Sequence, residues 1–390
     1  MKRVGILTYF SDFPYFNDIN PGMNLQAMSV YRVLSSLLPN CKVEFIRYHS
    51  WWAVWRPYIS GMTISSFLQD IRQLFKYYDF SKGFPKSGKV LVSKNREKSL
   101  QFIDGLGYDA IYVGSDTLLE LFRCNEDEIS AYWLNNTVKA RKFMVAASGR
   151  DTSFQSLSSI QRKLIKGSIE SFLKLGVRDR ATFDLIEEVL GRTDERLMVV
   201  PDPTFSYVIN YDIVAKYAKK SGLCNIAKPI VCFHLLKDST YATSLAEMFK
   251  KNGFIVASLR PAKYADIIIK DLSPEEFAGI FKYFDLVITH RFHDTIFCIK
   301  NLCPVLLFQP SRQYENLKGD SKQSSLMDLF GLVETNFIQD ISTMTDIEIF
   351  EKMNEAKISF SNKKDEITIK LKELDVEFKN YIKDTIRLNS

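Results

Sequence analysis

A chain of 390 residues, 46% hydrophobic and 25% charged, has the balance of a folded protein and is long enough for two domains that each bury a core. A net charge of +6 suits an anionic small substrate or an anionic membrane surface; it is too small to argue for nucleic acid, and no RNA- or DNA-binding module is present. Six cysteines with no Cys-x-x-Cys pair give no zinc or redox motif and read as buried free thiols in a reducing compartment.

The N-terminus runs from Met1-Lys2-Arg3 straight into apolar Val4–Tyr9, which predicts a first strand and no signal peptide. No run approaches the ~18 apolar residues of a membrane span. The expectation is a cytoplasmic protein. After the first strand, Asn20-Pro21-Gly22-Met23-Asn24 forms a glycine-containing turn into a helix over 23–38. Such a turn can bring backbone N–H groups to an anion, or can be a plain connection. Val43–Tyr48 is the second strand. The segment 51–90 then stands apart, with three of the four tryptophans (Trp51, Trp52, Trp55), many other aromatics and interleaved Arg56, Arg72, Lys76 and Lys82. It reads as an insertion packed on its own aromatics, with sugar stacking or contact with a membrane surface as the functional alternatives.

Further strands are expected at Asp109–Val113, Phe143–Ala147, Leu173–Val177 and Leu197–Val200, then at Ile230–Phe233, Phe254–Ser258, Leu286–Thr289 and Val305–Phe308. Their nearly continuous apolar character is that of parallel strands covered on both faces. The helices between them carry end signals, such as Ser273-Pro274-Glu275-Glu276 at a start and Gly191 and Gly253 at stops. The pattern predicts an α/β fold with two Rossmann-like domains facing across a cleft. The expected boundaries are 1–205, 206–345 and a helical tail over 346–390, with the turn Pro201-Asp202-Pro203-Thr204 at the first junction.

Polar residues at the carboxyl ends of these strands are the candidates for chemistry. Ser115 and Asp116 follow the strand ending at Val113-Gly114, where Asp116 can equally cap a turn. Arg178 ends another strand, with Asp179 placed to cap the next helix; it can point into a cleft or pair with a carboxylate at the surface. The densest candidate is Thr289-His290-Arg291-Phe292-His293-Asp294, at a strand-to-helix junction and holding two of the four histidines. A helix N-terminus, a forked guanidinium and an imidazole together predict a site that binds an anion and moves a proton. His290 reads either as a supporting residue or as a cap on the strand. The loop after the last strand holds Arg312, Lys318 and Lys322, able to close over an anion or to stay solvated.

Taken together, Pro21–Ala27, Tyr108–Asp116, Val177-Arg178-Asp179, Pro201–Thr204, the Arg-Phe-His core at 291–293, and Leu317-Lys318 followed by Leu329–Leu332 resemble the polysaccharide pyruvyltransferases. The resemblance covers most of the first 335 residues and rests on the set of motifs. It implies a GT-B-like arrangement, phosphoenolpyruvate as donor, and a sugar or lipid-linked oligosaccharide as acceptor. It also implies a pyruvate ketal as product, with no cofactor and no metal. Arg178, Arg291, His293 and Lys318 would then bind the donor, with His293 and Arg291 catalytic; Gly22, Asn24, Ser115 and Asp116 would lie on the acceptor side. A lipid-linked acceptor would also bring the protein to the cytoplasmic membrane face as a peripheral partner. The family often follows Gly-Ser-Asp with Gln and Trp, where this chain has Thr117-Leu118, and places glycine after the histidine, where this chain has Asp294. That aspartate either alters the turn or stands beside His293 and favours its protonated form, and with His290 it reads as a supporting residue. The rival readings are a GT-B glycosyltransferase using a nucleotide sugar and a non-catalytic carbohydrate-binding protein.

Overall fold

The apolar runs form two all-parallel sheets in a computed structural model that describes residues 1–51, 64–121, 124–150, 152–235, 240–309, 322–339 and 344–388. The first sheet contains β1 (Arg3–Leu7), β2 (Lys42–His49), β3 (Lys86–Val92), β4 (Ala110–Gly114), β5 (Arg141–Ala147), β6 (Lys174–Val177) and β7 (Leu197–Val199) in the order β3-β2-β1-β4-β5-β6-β7. The second contains β8 (Ile230–His234), β9 (Ile255–Ser258), β10 (Ile267–Ile268), β11 (Leu286–Thr289), β12 (Val305–Phe308) and β13 (Phe337–Ile338) in the order β10-β9-β8-β11-β12-β13. All ten strands expected from the sequence are present within two residues. The three additional ones, β3, β10 and β13, are all edge strands.

In each sheet the winding direction reverses once, between β1 and β4 and between β8 and β11. The crevice outside the carboxyl ends at such a reversal is where open α/β sheets bind ligands. Four of the connecting helices matter below. They are α1 (Pro21–Leu37), α2 (Arg180–Leu190), α3 (Phe292–Lys300) and α4 (Lys364–Arg387).

The described part of the segment expected to be an insertion is a helix and a strand that join the first sheet. A helix over Ile64–Ser81 leads into β3, which pairs parallel with β2. Parallel neighbours need a long crossover, and this helix belongs to it. Its aromatics divide: Tyr77 and Phe84 are buried, Phe84 against Phe10 and Phe45, while Phe75 and Tyr78 are exposed. Trp52, Trp55 and Tyr58 lie outside the described residues.

The chain forms two compact units, Met1–Tyr207 with Leu374–Ser390, and Val208–Glu373. Residues 346–390 are therefore not one separate tail, because α4 begins in the second unit and ends in the first. The reason is visible in its apolar stripe. Leu374, Phe378, Tyr381 and Ile382 are buried, Tyr381 donates to the Met144 carbonyl, and the Tyr112 and Thr385 hydroxyls bond at 3.0 Å. A Cβ on Gly176 would overlap the Tyr381 ring, so that position in β6 has to be glycine for the helix to seat. Among the described residues no helix is long and apolar enough to cross a membrane. All six cysteines are free thiols; Cys232, Cys298 and Cys303 are buried, Cys41 and Cys124 half-buried, and Cys224 exposed.

Candidate active site

In the second unit the site gathers on β8, β9 and β11. His234 ends β8 and is the register partner of Thr289, which ends β11. Arg291 follows as the N-cap of α3, with His293 and Asp294 in that helix's first turn. Successive helical residues point about 100° apart, as 3.6 residues per turn requires, so His293 and Asp294 diverge. Asp294 turns back onto the sheet. Its Oδ2 lies 2.5 Å from His234 Nδ1 and accepts from the Thr289 hydroxyl at 2.8 Å. The expectation that this carboxylate would stand beside His293 is corrected: its partner is His234. Arg291 Nη1 is 2.9 Å from His234 Nε2, and the Arg291 backbone N–H donates to Thr289 Oγ at 3.1 Å.

Burial alone would raise the Asp294 carboxyl, but His234, Arg291 and the Thr289 hydroxyl outweigh it and hold it down to about 2. Burial likewise lowers His234, against the pull of Asp294, and keeps the ring neutral. His290 is pushed down to about 4 by burial, with Arg291, His234 and Arg260 adding to the effect and Asp294 opposing it. Its Nδ1 is buried without a hydrogen-bond partner, and its ring lies near Phe308. His293 is half-buried, its ring edge-on to Phe292. Arg260, two residues beyond β9, has an exposed side chain whose pKa is lowered first by partial burial of the guanidinium and then by neighbouring Arg291. Among the described residues the local balance is two guanidiniums against one buried carboxylate, beside a helix N-terminus, which favours an added anion. Lys318 lies outside the described residues.

In the first unit Arg178 has a different setting. Its side chain is 4% exposed and pairs with Asp202 at 3.1 Å, with Gln26 Oε1 accepting at 3.4 Å. Burial opposes its charge; Asp202, Asp116 and Asp179 more than offset this, so its pKa lies above the ordinary value. Arg178 is thus a buried arginine surrounded by carboxylates, where the sequence left open a cleft-facing or a surface side chain. Asp179 caps α2, accepting from the Thr182 backbone and hydroxyl.

The other expected residues cluster at the β1/β4 reversal. Gly22 is buried in the first turn of α1. The Asn24 side chain accepts from the Ser11 N–H and donates to Ser11 Oγ and the Asn20 carbonyl, so it fixes the loop after β1. Ser115 is fully buried at a positive φ of 60°, its hydroxyl without a partner. Gly114 before it has φ 140°, and a Cβ there would overlap the Val145 carbonyl. Asp116 accepts from the Thr117 N–H, the turn-capping alternative.

Two features of this unit gave no strong sequence signal. Asp12 is fully buried and holds His49, Arg47 and Lys86 together. A cavity of about 490 Å³ opens beyond β1–β4, lined among others by Tyr9, Tyr48, Trp51, Arg96, Glu120 and Asn125. In the second unit His234 and Arg260 were missed. The available signal was that each closes or follows an apolar run at its carboxyl end.

The fold is that of two-unit α/β proteins. UDP-GlcNAc 2-epimerase from Neisseria meningitidis, bound to UDP-GlcNAc, is similar with a TM-score of 0.52 at 9% identity, over 93% of this chain and 94% of that one. The Methanocaldococcus jannaschii 2-epimerase has a TM-score of 0.52 at 12% identity, over 91% of each chain. Anabaena HepE in complex with UDP has a TM-score of 0.50 at 11% identity, over 99% of this chain and all of the other. No curated protein matches the chain in sequence. The family model for polysaccharide pyruvyl transferase matches residues 20–312, and the chain belongs to that family.

Proposed function

We propose that the protein transfers the pyruvyl group of phosphoenolpyruvate to two hydroxyls of a sugar in a polysaccharide or its lipid-linked precursor, forming a pyruvate ketal. The observation that carries this reading is the charge balance around Arg291. Two guanidiniums and a helix N-terminus meet one fully engaged carboxylate. Phosphoenolpyruvate, with a carboxylate and a phosphate, is an anion that such a cradle suits.

His293 is assigned as the acid that protonates the donor's methylene carbon. One sugar hydroxyl then adds at C2 and phosphate departs, taking up a hydroxyl proton. The neighbouring hydroxyl closes the ketal and returns its proton to His293. Arg291 holds the donor anion, Arg260 assists, and Lys318 remains assigned to the donor. Arg178, ringed by carboxylates, is assigned a scaffolding part in the first unit. Its cavity, with aromatic faces and carboxylate and amide edges, is of a size for a sugar acceptor. Gly22, Asn24, Ser115 and Asp116 shape the loops of the same sheet. The reaction as drawn uses no cofactor.

The test is a thermal-shift comparison of phosphoenolpyruvate with UDP, CMP and GDP sugars, on wild type and Arg291→Ala. Stabilisation by phosphoenolpyruvate that disappears in the variant supports pyruvyl transfer. Stabilisation by a nucleotide sugar in its place would move the assignment to a glycosyltransferase.

A further inference from the structure

Five groups around Arg291 close into one ring of hydrogen bonds. Its backbone N–H donates to Thr289 Oγ, and that hydroxyl donates to Asp294 Oδ2. The same oxygen faces His234 Nδ1, and His234 Nε2 faces the Arg291 guanidinium. The protons can be placed from chemistry alone. A guanidinium only donates, so Nε2 must present its lone pair. The single ring proton of neutral His234 is then on Nδ1 and goes to Asp294. A doubly protonated ring would set two N–H groups against each other at the 2.9 Å contact with Arg291.

We infer that His234 is a positioning residue, locked as the neutral Nδ1–H tautomer, which ties the Arg291 guanidinium through Asp294 and Thr289 back to the Arg291 backbone. The ring leaves the side chain of Arg291 one orientation. One of its five N–H donors points at His234, and among the described residues no other side chain takes up the rest, which can face an anion. It also gives a reason for an aspartate at 294 where the family usually has glycine. Without that carboxylate the Nδ1 proton that the Arg291 contact requires would lose its acceptor.

Phosphoenolpyruvate as the test ligand rests on the function proposed above; the ring itself does not. Long-range proton–nitrogen NMR of histidine-labelled wild-type protein reads the tautomer directly, with the resonance assigned by its loss in His234→Gln. A neutral His234 carrying its proton on Nδ1 is expected. A proton on Nε2, or a doubly protonated ring at neutral pH, would overturn the inference whatever the donor proves to be.

Calorimetric titration with phosphoenolpyruvate then reads the consequence. His234→Ala should weaken binding roughly 10–100-fold, the size seen when a residue that orients a ligand-binding group is removed. His234→Gln can donate to Asp294 and accept from Arg291, so it should recover most of the affinity. Thr289→Val should lose less than His234→Ala. In steady state the donor KM should move more than kcat. Unchanged donor affinity in both His234 variants would remove the positioning role. Absence of binding by the wild type would count against the donor reading and leave the ring to the NMR result.

Discussion

Arg178 and Arg291 occupy the same kind of place, just past the carboxyl end of a parallel strand, yet their surroundings are opposite. Arg178 is buried and faces Asp202, Asp116 and Asp179, so the charge around it is already overbalanced. Arg291 is half-buried and, among the described residues, stands with Arg260 against Asp294. In the function proposed above, the same residue type is therefore a structural cross-link in one unit and an anion receptor in the other. What decides the role is the count of carboxylates nearby, which the strand-end position does not reveal.

The strongest way to break this contrast is to remove each arginine. Arg178→Ala leaves Asp202 as an uncompensated buried charge and should cost about 3–5 kcal/mol of stability, read in a denaturant melt. Arg291→Ala should melt near the wild type but lose the stabilisation by phosphoenolpyruvate. A well-folded Arg178→Ala protein blind to the donor would reverse the two assignments. His293→Ala should keep donor affinity and lose roughly 10²–10⁴-fold in turnover. Near-full activity would take the acid role away from His293. Arg260→Ala sharpens the comparison from the other side. It should weaken donor binding by roughly tenfold, about the 1.5–3 kcal/mol of one hydrogen bond to a charged group or slightly less. No change there would leave Arg291 to act without a second guanidinium.

The smallest effect is in the pH dependence of folding. His290 is held neutral, at about 4 in the folded chain against 6.5 ordinarily. The unfolded chain therefore binds more protons between those values, so stability rises with pH across that window and is lost on acidification through it. His290→Phe should flatten the slope of melting temperature between about pH 4 and 6.5. An unaltered slope would place the titration on another group.

The interior of each sheet was legible because central parallel strands are buried on both faces and so read as apolar runs. The edges were not. β3 opens with Lys86, Ser87, Gly88 and Lys89, and β10 and β13 are two residues each. The helix over 64–81 was read as part of an insertion because aromatic content drew attention away from its crossover role. Of the site, the 289–294 junction was legible as a strand-to-helix turn rich in charge. His234 was not, since its place beside Arg291 depends on β8 lying next to β11, and strand order is not written in local sequence. The misplacement of Asp294 beside His293 has the same origin, as neighbours in sequence diverge on a helix while a strand 60 residues away supplies the partner.

The seating of α4 on the first unit sets an order of events in synthesis. The unit of residues 1–207 is completed only by Leu374–Ser390, which follows the whole second unit in the chain and is made after it. Until then the face around Gly176, Met144 and Tyr112 has no Phe378, Tyr381 or Thr385 to cover it. A nascent first unit thus waits, partly uncovered, for the second to be made, and a chain cut at Glu373 would keep that apolar face permanently open to association.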